Sequence, residues 1–219
     1  MEQSNHHAAI LWDMDGVLVD TWELHAQTWV QAFEEFNVPL VASQIKTTFG
    51  MNSMSSLQLL LGDRYQQDFL LEVIDRKEAL FYEVAKRGLN PLPGVLQWLE
   101  QFKAQGFRQA VASSAPPENI EAVVDTLEIR TFFEALVSGV DLPGKPNPDV
   151  FLKAAGLVGV SPGRCLVIED AVHGVQGAHR AGMKCIAITT TTPAEVLVEA
   201  DLVLANLSEL SEAHLAGLL

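Results

Sequence analysis

Four apolar runs of the chain lead into side chains that can take part in chemistry: Asp13 and Asp15, then Ser113 and Ser114, then Lys145, and then Glu169 and Asp170. The first pair stands in the stretch AAILWDMDGVLVDT, although acids are among the residues least often attached to a core strand. Carboxylates, hydroxyls and an ammonium group are the groups that bind a metal ion and an anionic substrate. Their function depends on whether the fold brings all four groups together.

The apolar runs themselves are short, rich in Val, Ile, Leu and Ala, and typical of strands buried on both faces. They predict strands near residues 9–12, 109–113, 135–138, 164–168, 184–189 and 201–204. Helical patterns lie between most of these runs, so the sequence predicts an α/β fold with a Rossmann-like parallel sheet core. In such a sheet, ligands bind beyond the carboxyl ends of the strands. We therefore expect the four groups to meet at one edge.

The region from about residue 20 to residue 89 departs from this alternation, because it contains helical patterns and no convincing strand. Its first pattern spaces apolar residues at helical intervals, at Trp22, Ala26, Trp29, Val30 and Phe33. Its second pattern does the same at Leu70, Ile74, Phe81 and Val84. The sequence therefore predicts an all-helical cap domain over residues 20–89, inserted into a discontinuous core domain of residues 1–19 and 90–219.

The acids at the strand ends suggest a metal site. Carboxylates this close repel one another unless a cation lies among them. Oxygen ligands alone favour a hard divalent ion, and Mg²⁺ is the usual choice where protein carboxylates are few. The alternative is that the Asp and Ser side chains cap helices that begin after the strands. One site alone fits both interpretations, whereas four such sites at matching strand ends favour a metal and anion site.

The same segments resemble the four motifs of the haloacid dehalogenase superfamily. DMDGVLVDT is similar to the first motif, VASSA to the second, GKPNPDVF to the third and VIEDAVHGVQGAHRAGM to the fourth. They occur in the family's order and span about residues 9–183, so the set is far more specific than any one motif. The helical insertion after the first motif resembles the cap of the beta-phosphoglucomutase-like subfamily.

The resemblance implies a mechanism through an aspartyl-phosphate. Asp13 would be the nucleophile and would bind Mg²⁺ through its other oxygen. Asp15 would be the general acid and then the general base, and its backbone carbonyl would also bind the metal. Gly16 would allow the backbone turn that aims Asp15 at the site, and it would contribute to phosphate binding.

The other three motifs would hold the phosphoryl group and the metal. Ser113 and Lys145 would be catalytic, because they would bind the phosphoryl oxygens during transfer. Ser114 would add to phosphate binding. Asp170 would bind the metal, with Glu169 as a second acidic ligand.

Three residues of the helical insertion are candidates for substrate contact: Thr21, His25 and Lys77. Lys77 falls on the apolar stripe of the second helical pattern, where a buried ammonium group is costly. It therefore either extends along its stem to solvent or faces the cleft and meets an anionic or hydroxyl-rich ligand. Thr21 and His25 follow the entry into the insertion and could line the cleft, while Asp20 is expected to cap the first helix.

Departures from the mutase pattern favour a phosphatase. Within FGMNSMSSL, Ser53 stands where the mutases carry an arginine that grips a second phosphate, although Gly50 matches them. Ala115 and Pro116 stand where the mutases have a serine and a lysine. A serine does not replace the bidentate arginine fork. We therefore expect a Mg²⁺-dependent phosphatase that acts on a small phosphomonoester such as a sugar phosphate, with a beta-phosphoglucomutase-type phosphotransferase as the alternative.

Other functional classes fit the sequence less well. A signalling receiver domain also combines a phosphorylated aspartate with an acidic pair, but here that pair follows a late strand. The chain contains no GxxxxGK[ST], and no GxGxxG follows the first strand, which disfavours nucleotide-binding folds. The full set of catalytic residue types argues against a binding protein built on an inactive enzyme.

Composition limits the partners. The 219 residues carry a net charge of −14, so we expect no binding to nucleic acid or to an anionic membrane. No apolar run approaches the ~20 residues of a membrane helix, and we find no secretion signal. Cys165 and Cys185 are expected to be buried thiols in a reducing compartment, and His6 with His7 is a poor metal site. We expect a cytoplasmic monomer.

Overall fold

The computed structural model describes residues 8–38, 42–48 and 51–219. His6, His7 and Gly50 lie outside the described residues. Within the described part of the chain, no helix is long and apolar enough to cross a membrane.

The core of the fold is one six-stranded sheet. Its strands are β1 (Ala9–Trp12), β2 (Arg108–Ser113), β3 (Ala135–Ser138), β4 (Cys165–Glu169), β5 (Lys184–Ile188) and β6 (Leu202–Leu204). The strands are all parallel and lie in the order β3-β2-β1-β4-β5-β6. The predicted parallel α/β fold is therefore confirmed, with β1 at the centre and β2 and β4 on either side.

The strand predictions are accurate to within one residue at each end. One difference affects the site, because β4 extends through Glu169 whereas the sequence analysis placed that residue beyond the strand. The start of β4 also lies one residue later than predicted. Residues Pro162–Arg164 form a 3-10 turn, so Arg164 is not part of β4. Glu169 is consequently held in the sheet ladder opposite Ala187.

Nine helices with α geometry occur in the described parts of the chain. They are α1 (Trp22–Glu35), α2 (Ala42–Ile45), α3 (Ser53–Leu61), α4 (Gln67–Ala85), α5 (Val95–Ala104), α6 (Pro117–Thr126), α7 (Asp149–Leu157), α8 (Val172–Arg180) and α9 (Glu212–Leu215). Short 3-10 turns lie at Lys46–Thr48, Gly62–Arg64, Arg130–Phe132, Pro162–Arg164, Ala194–Val196 and Leu207–Glu209.

The sheet buries both faces, as its continuous apolar strands predict. Along β1, Ile10 and Trp12 point into one hydrophobic cluster, while Ala9 and Leu11 point into a second cluster on the other face. All four side chains are fully buried. Because each face is covered by helices, the edge formed by the carboxyl ends of the strands remains the place where polar groups can collect.

Between β1 and α5, the helices and 3-10 turns of the described residues form a cap with its own apolar cluster, as predicted. Helices α1 and α4 pack through Trp29 and Phe33 from the first and Leu70 and Val73 from the second. One predicted position of the apolar stripe is wrong, because Val84 is exposed. The stripe rotates near the end of α4, where Phe81 and Ala85 pack into the cluster under the sheet instead.

Candidate active site

Lys145 joins the ends of the two central strands. Its Nζ lies 2.6 Å from Asp13 Oδ1 and 2.7 Å from Glu169 Oε1. The Asp13 amide continues the sheet ladder by donating to the Ile168 carbonyl at 2.9 Å, which fixes Asp13 beside the end of β4. All three charged side chains are buried, so the ion pairs are shielded from solvent.

Both carboxylate oxygens of Glu169 accept hydrogen bonds. Its Oε1 accepts from Lys145, and its Oε2 accepts from the backbone amides of Asp170 and Ala171 at 2.8 and 2.9 Å. The side chain thus fixes Lys145 and the turn that follows β4. This contact pattern supports a role for Glu169 in positioning Lys145, in addition to the metal contact that the family resemblance implies.

Three buried carboxylates fit a metal ion. Asp13, Glu169 and Asp170 each offer one oxygen, and these oxygens all lie within 4.8 Å of one another. Asp170 also accepts a short hydrogen bond from the Thr191 hydroxyl. An all-oxygen donor set of this kind suits a hard divalent cation.

The carboxyl pKa values report the same crowding. Burial raises the pKa of Asp13 to about 7, against the opposing charge of Lys145 and with help from Glu169 and Asp15. Burial, together with the charges of Glu169 and Asp13, raises the pKa of Asp170 well above its usual value. Burial lowers the pKa of Lys145, but the two carboxylates beside it outweigh this effect and raise the pKa overall. The ammonium therefore stays charged.

Asp15 has a different environment, since it faces the cap. Its Oδ1 accepts from the Thr21 hydroxyl at 2.5 Å and lies 3.2 Å from His25 Nε2. Burial acts to raise the pKa of Asp15, yet the charge and hydrogen bond of His25 and the Thr21 hydroxyl more than offset it and lower the pKa. His25 is itself stacked on Phe81, with ring centroids 4.4 Å apart. Thr21 and His25 thus hold Asp15.

The turn after Asp15 requires glycine. Gly16 has φ of +82°, in the left-handed region that side chains disfavour. A Cβ on Gly16 would also collide with Asp170 Oδ2, so the backbone approaches the acidic cluster as closely as it can. This approach aims Asp13 and Asp15 into one space from a single strand end.

The hydroxyl groups lie across that space from the acids. Ser113 ends β2 and is fully buried, and its Oγ accepts from the Ala115 amide at 3.1 Å. Ser113 and Ser114 both line the pocket that contains Asp13 and Asp15. The structure therefore brings the predicted residues of all four motifs to one edge of the sheet.

Lys77 lines the catalytic pocket and does not extend to solvent. It is only 2% exposed, and its Nζ lies over the rings of Trp29 and Phe81 at 5.3 and 5.2 Å from their centroids. Its ammonium is paired with both oxygens of Glu78, each at 3.0 Å. The ammonium therefore does not extend to solvent. Its contact with an anionic or hydroxyl-rich ligand stays a prediction.

Two residues that contact the site, Thr191 and Glu78, are not identified from the sequence. Thr191, which contacts Asp170, is the third residue after β5 and lies at the same edge of the sheet as the other motifs. The Glu78 carboxylate accepts hydrogen bonds from Ser53 Oγ at 2.8 Å and from Asn119 Nδ2 at 2.6 Å. It thereby joins α3 and α4 of the cap to α6 of the core. Thr191 could have been predicted, because ligands bind beyond the carboxyl ends of the strands. No local pattern in the sequence predicts the contact between Glu78 and Asn119.

Comparison with known proteins shows the family. The family model described as haloacid dehalogenase-like hydrolase matches residues 10–188. The chain therefore belongs to the haloacid dehalogenase-like hydrolases, an enzyme family. The solved structures with a similar fold include a beta-phosphoglucomutase from Clostridium difficile, at a TM-score of 0.86 and 22% identity, covering 96% of each chain.

Relatives of similar length carry different activities in their names. The chain is 32% identical to the beta-phosphoglucomutase of Bacillus subtilis (strain 168), over 93% of this chain and 91% of that one. It is 29% identical to hexitol phosphatase B of Escherichia coli (strain K12), over 95% and 96% of the two chains. The crystal structure of CbbY from Rhodobacter sphaeroides in complex with phosphate matches with a TM-score of 0.86 and 26% identity, covering 95% of this chain and 99% of that one.

One further relative is much longer. The protein SUPPRESSOR OF QUENCHING 1, chloroplastic, of Arabidopsis thaliana is 33% identical over 204 residues. The match covers 88% of this chain but only 19% of that protein.

Proposed function

We propose that the chain is a divalent-metal-dependent phosphatase that releases phosphate from a small phosphomonoester such as a sugar phosphate. The observation that carries the proposal is the buried ion pair between Asp13 and Lys145 at the end of β1. A carboxylate held beside a buried ammonium suits attack on phosphorus, because the ammonium can bind the phosphoryl oxygens that gain charge. Relatives named as phosphatases agree with this activity.

The first step joins Asp13 to phosphorus. A carboxylate oxygen of Asp13 forms a bond to phosphorus, the bond from phosphorus to the ester oxygen breaks, and the leaving oxygen takes a proton from Asp15. Lys145 and the Ser113 hydroxyl bind the phosphoryl oxygens during the transfer. In the second step, water attacks phosphorus and gives a proton to Asp15, and the bond to Asp13 breaks to release phosphate.

The lowered pKa of Asp15 suits the second step directly, since a base must be deprotonated. For the first step Asp15 must carry a proton. An anionic phosphoryl group placed beside the carboxylate raises its pKa, because a nearby like charge disfavours the ionised form. Substrate binding thus favours uptake of the proton that Asp15 then donates.

We propose Mg²⁺ as the ion at Asp13, Glu169, Asp170 and the backbone carbonyl of Asp15. When bound, the ion supplies charge neutralisation that lets an anionic carboxylate approach an anionic phosphoryl group. The buried oxygen cluster supports this choice through the chemistry of its donors.

Phosphatase activity is favoured over mutase activity by the cap. Ser53, which stands at the position of the mutase arginine, donates to Glu78 rather than reaching the phosphoryl site. Among the described residues that line the catalytic pocket, none is arginine. A mutase must hold a second phosphate, and an arginine fork is the group best suited to it. Because one relative is named beta-phosphoglucomutase, mutase activity is the alternative that must be tested.

The domain division and the setting are part of the same proposal. The core domain would comprise residues 1–19 and 90–219, and the cap domain would comprise residues 20–89. The high negative charge supports a small anionic substrate bound locally rather than a nucleic acid or membrane partner. The two buried free cysteines support a reducing, cytoplasmic setting, and we propose that the protein is a monomer there.

One experiment separates the two activities. The chain is incubated with Mg²⁺ and beta-glucose 1-phosphate, with a trace of the corresponding bisphosphate, and free phosphate and glucose 6-phosphate are both measured. The proposal predicts release of free phosphate from monoesters. Clean conversion to glucose 6-phosphate with little free phosphate would identify a mutase instead.

A further inference from the structure

A large cleft adjoins the catalytic pocket. It has a volume of about 710 Å³ and lies between α3 and α4 of the cap and the start of α6 with the loop after β3. Ser53, Glu78 and Pro116 line both this cleft and the catalytic pocket, so the two spaces adjoin at these residues. The catalytic pocket itself measures only about 50 Å³. We therefore expect the part of a substrate that is esterified to phosphate to extend into the cleft.

The walls of the cleft are largely apolar. Leu71, Tyr82 and Val140 line it and are 43%, 37% and 47% exposed, respectively. Ile74 and Pro117 lie beside them. Large apolar side chains left exposed in a concave surface are typical of ligand sites. The cleft thus suits a leaving group with an apolar face.

The charge of the cleft is negative. Four carboxylates line it, from Asp75, Glu78, Glu118 and Asp141. Among the described residues of its lining, none is lysine, arginine or histidine. A second anion on the substrate would meet repulsion from these carboxylates, whereas an ammonium group would be attracted.

Lys77 does not reverse this charge. Glu78 binds the Lys77 ammonium with both carboxylate oxygens, so the pair is neutral as a unit. Ser53 and Asn119 fix the Glu78 carboxylate from the other sides. Glu78 thus neutralises the Lys77 ammonium, and Asp75, Glu118 and Asp141 give the cleft its net negative charge.

We infer that Glu78 is a specificity-determining residue that, with Asp75, Glu118 and Asp141, selects the leaving group. The selected phosphomonoesters have an amine-bearing or uncharged leaving group with an apolar face, and those with a second anionic group are excluded. This inference rests on the proposed phosphatase function and names the substrate class of the same site.

Three esters on the same six-carbon frame test the charge selection: glucosamine 6-phosphate, glucose 6-phosphate and 6-phosphogluconate. With Mg²⁺, at a pH where the amine is protonated, kcat/KM is expected to fall in that order. The first and last should differ by about tenfold or more, the size expected for a unit charge within ~10 Å of a carboxylate. Equal values, or a preference for 6-phosphogluconate, would overturn the inference.

Glu78→Gln tests the named residue. The variant should raise kcat/KM for 6-phosphogluconate relative to glucosamine 6-phosphate by about fivefold, mainly through KM, because it removes a carboxylate and frees Lys77. Glu72→Gln, an exposed residue on the same helix, is the matched control and should keep the wild-type ratio. An unchanged ratio in Glu78→Gln contradicts the assignment.

A second variant tests the same charge selection in case Glu78→Gln does not fold. Glu118 and Asp141 are exposed, so the double variant Glu118→Gln, Asp141→Asn should fold. Like Glu78→Gln, it should raise kcat/KM for 6-phosphogluconate relative to that for glucosamine 6-phosphate. Release of phosphate from all three esters without charge order overturns the inference alone. Absence of release from all three overturns the proposed function, and the inference with it.

Discussion

Lys145 Nζ lies 2.6 Å from Asp13 Oδ1, although the two residues are 132 positions apart in the chain. The ammonium also binds Glu169 at 2.7 Å, so one buried cation holds the carboxyl ends of β1 and β4 together. This arrangement links stability to function. The carboxylate that would attack phosphorus is fixed in place by the group that would bind the phosphoryl oxygens.

Lys145→Met should reduce both activity and stability. Loss of the ammonium should lower kcat by about 10²- to 10³-fold, as expected for the removal of a group that stabilises charge in the transition state. It should also cost about 3 kcal/mol in the free energy of unfolding, because two buried carboxylates lose their partner. Kinetics and chemical denaturation measure the two effects. Lys103→Met, on the exposed end of α5, is the control, and near-normal kcat in Lys145→Met would contradict the role of this residue.

Metal binding should depend on pH. The pKa of Asp13 is raised to about 7, and the pKa of Asp170 is also raised. Without a metal ion, the protonated forms of these two carboxyls therefore stabilise the fold at acid pH. This stabilisation is lost as the pH rises through about 7. A metal ion binds the ionised carboxylates and must displace these protons at lower pH. Mg²⁺ should therefore raise Tm more at pH 8 than at pH 5.5.

Thermal unfolding with and without Mg²⁺ at the two pH values measures this effect. Asp170→Asn serves as the control, since the variant should show little Mg²⁺-dependent shift at either pH. An equal rise of Tm with Mg²⁺ at both pH values would show that these carboxylates do not hold the ion.

Thr191→Val should weaken metal binding. The Thr191 hydroxyl donates to Asp170, and loss of such a partner behind a metal ligand typically costs about 10- to 100-fold in affinity. Calorimetric titration with Mg²⁺ measures the change. Thr192→Val removes a neighbouring hydroxyl and should leave the affinity near that of the wild type. Wild-type affinity in Thr191→Val would show that the hydroxyl contributes nothing to the site.

Asp201→Asn should destabilise the protein at neutral pH. Asp201 accepts from Lys184 Nζ at 2.6 Å, from His179 Nε2 at 2.9 Å and from the Cys185 amide, and these contacts outweigh burial and lower its pKa to about 2. Because the pKa is lowered, its stabilising effect is full above the usual value and is lost as the pH falls through about 2. The difference from the wild type in the free energy of unfolding should be clear at pH 7.

Denaturation at several pH values checks this behaviour. The gap between the wild type and Asp201→Asn should narrow steadily below pH 4, whereas the exposed control Glu195→Gln should match the wild type throughout. A gap that stays constant down to acid pH would mean that the effect of the substitution is not the loss of an ionised carboxylate.

The sequence predicts the parts of this molecule that local patterns encode. The bounds of β1 and β3 agree with the prediction residue for residue, because each is an apolar run with clear breaks at both ends. The meeting of Asp13, Ser113 and Lys145 at one edge follows from the parallel arrangement of the strands.

The rest depends on how the cap packs on the core. Glu78 and Asn119 are 41 positions apart and meet only because α4 packs against the start of α6. No periodic pattern in either helix indicates this contact. The rotation of the buried stripe at Val84 has the same origin, since the end of α4 leaves the apolar cluster of the cap for that of the sheet.

The central claim is that Asp13 becomes phosphorylated during turnover. The most direct measurement mixes the chain with Mg²⁺ and a turned-over phosphomonoester, quenches with acid during the steady state, and locates phosphoryl groups on peptides by mass spectrometry. One phosphoryl group is expected on the peptide that contains Asp13. Asp13→Asn is expected to lack this group and to lose on the order of 10⁴-fold or more in kcat. Turnover without a phosphoryl group at Asp13, or near-normal activity in Asp13→Asn, would contradict this claim.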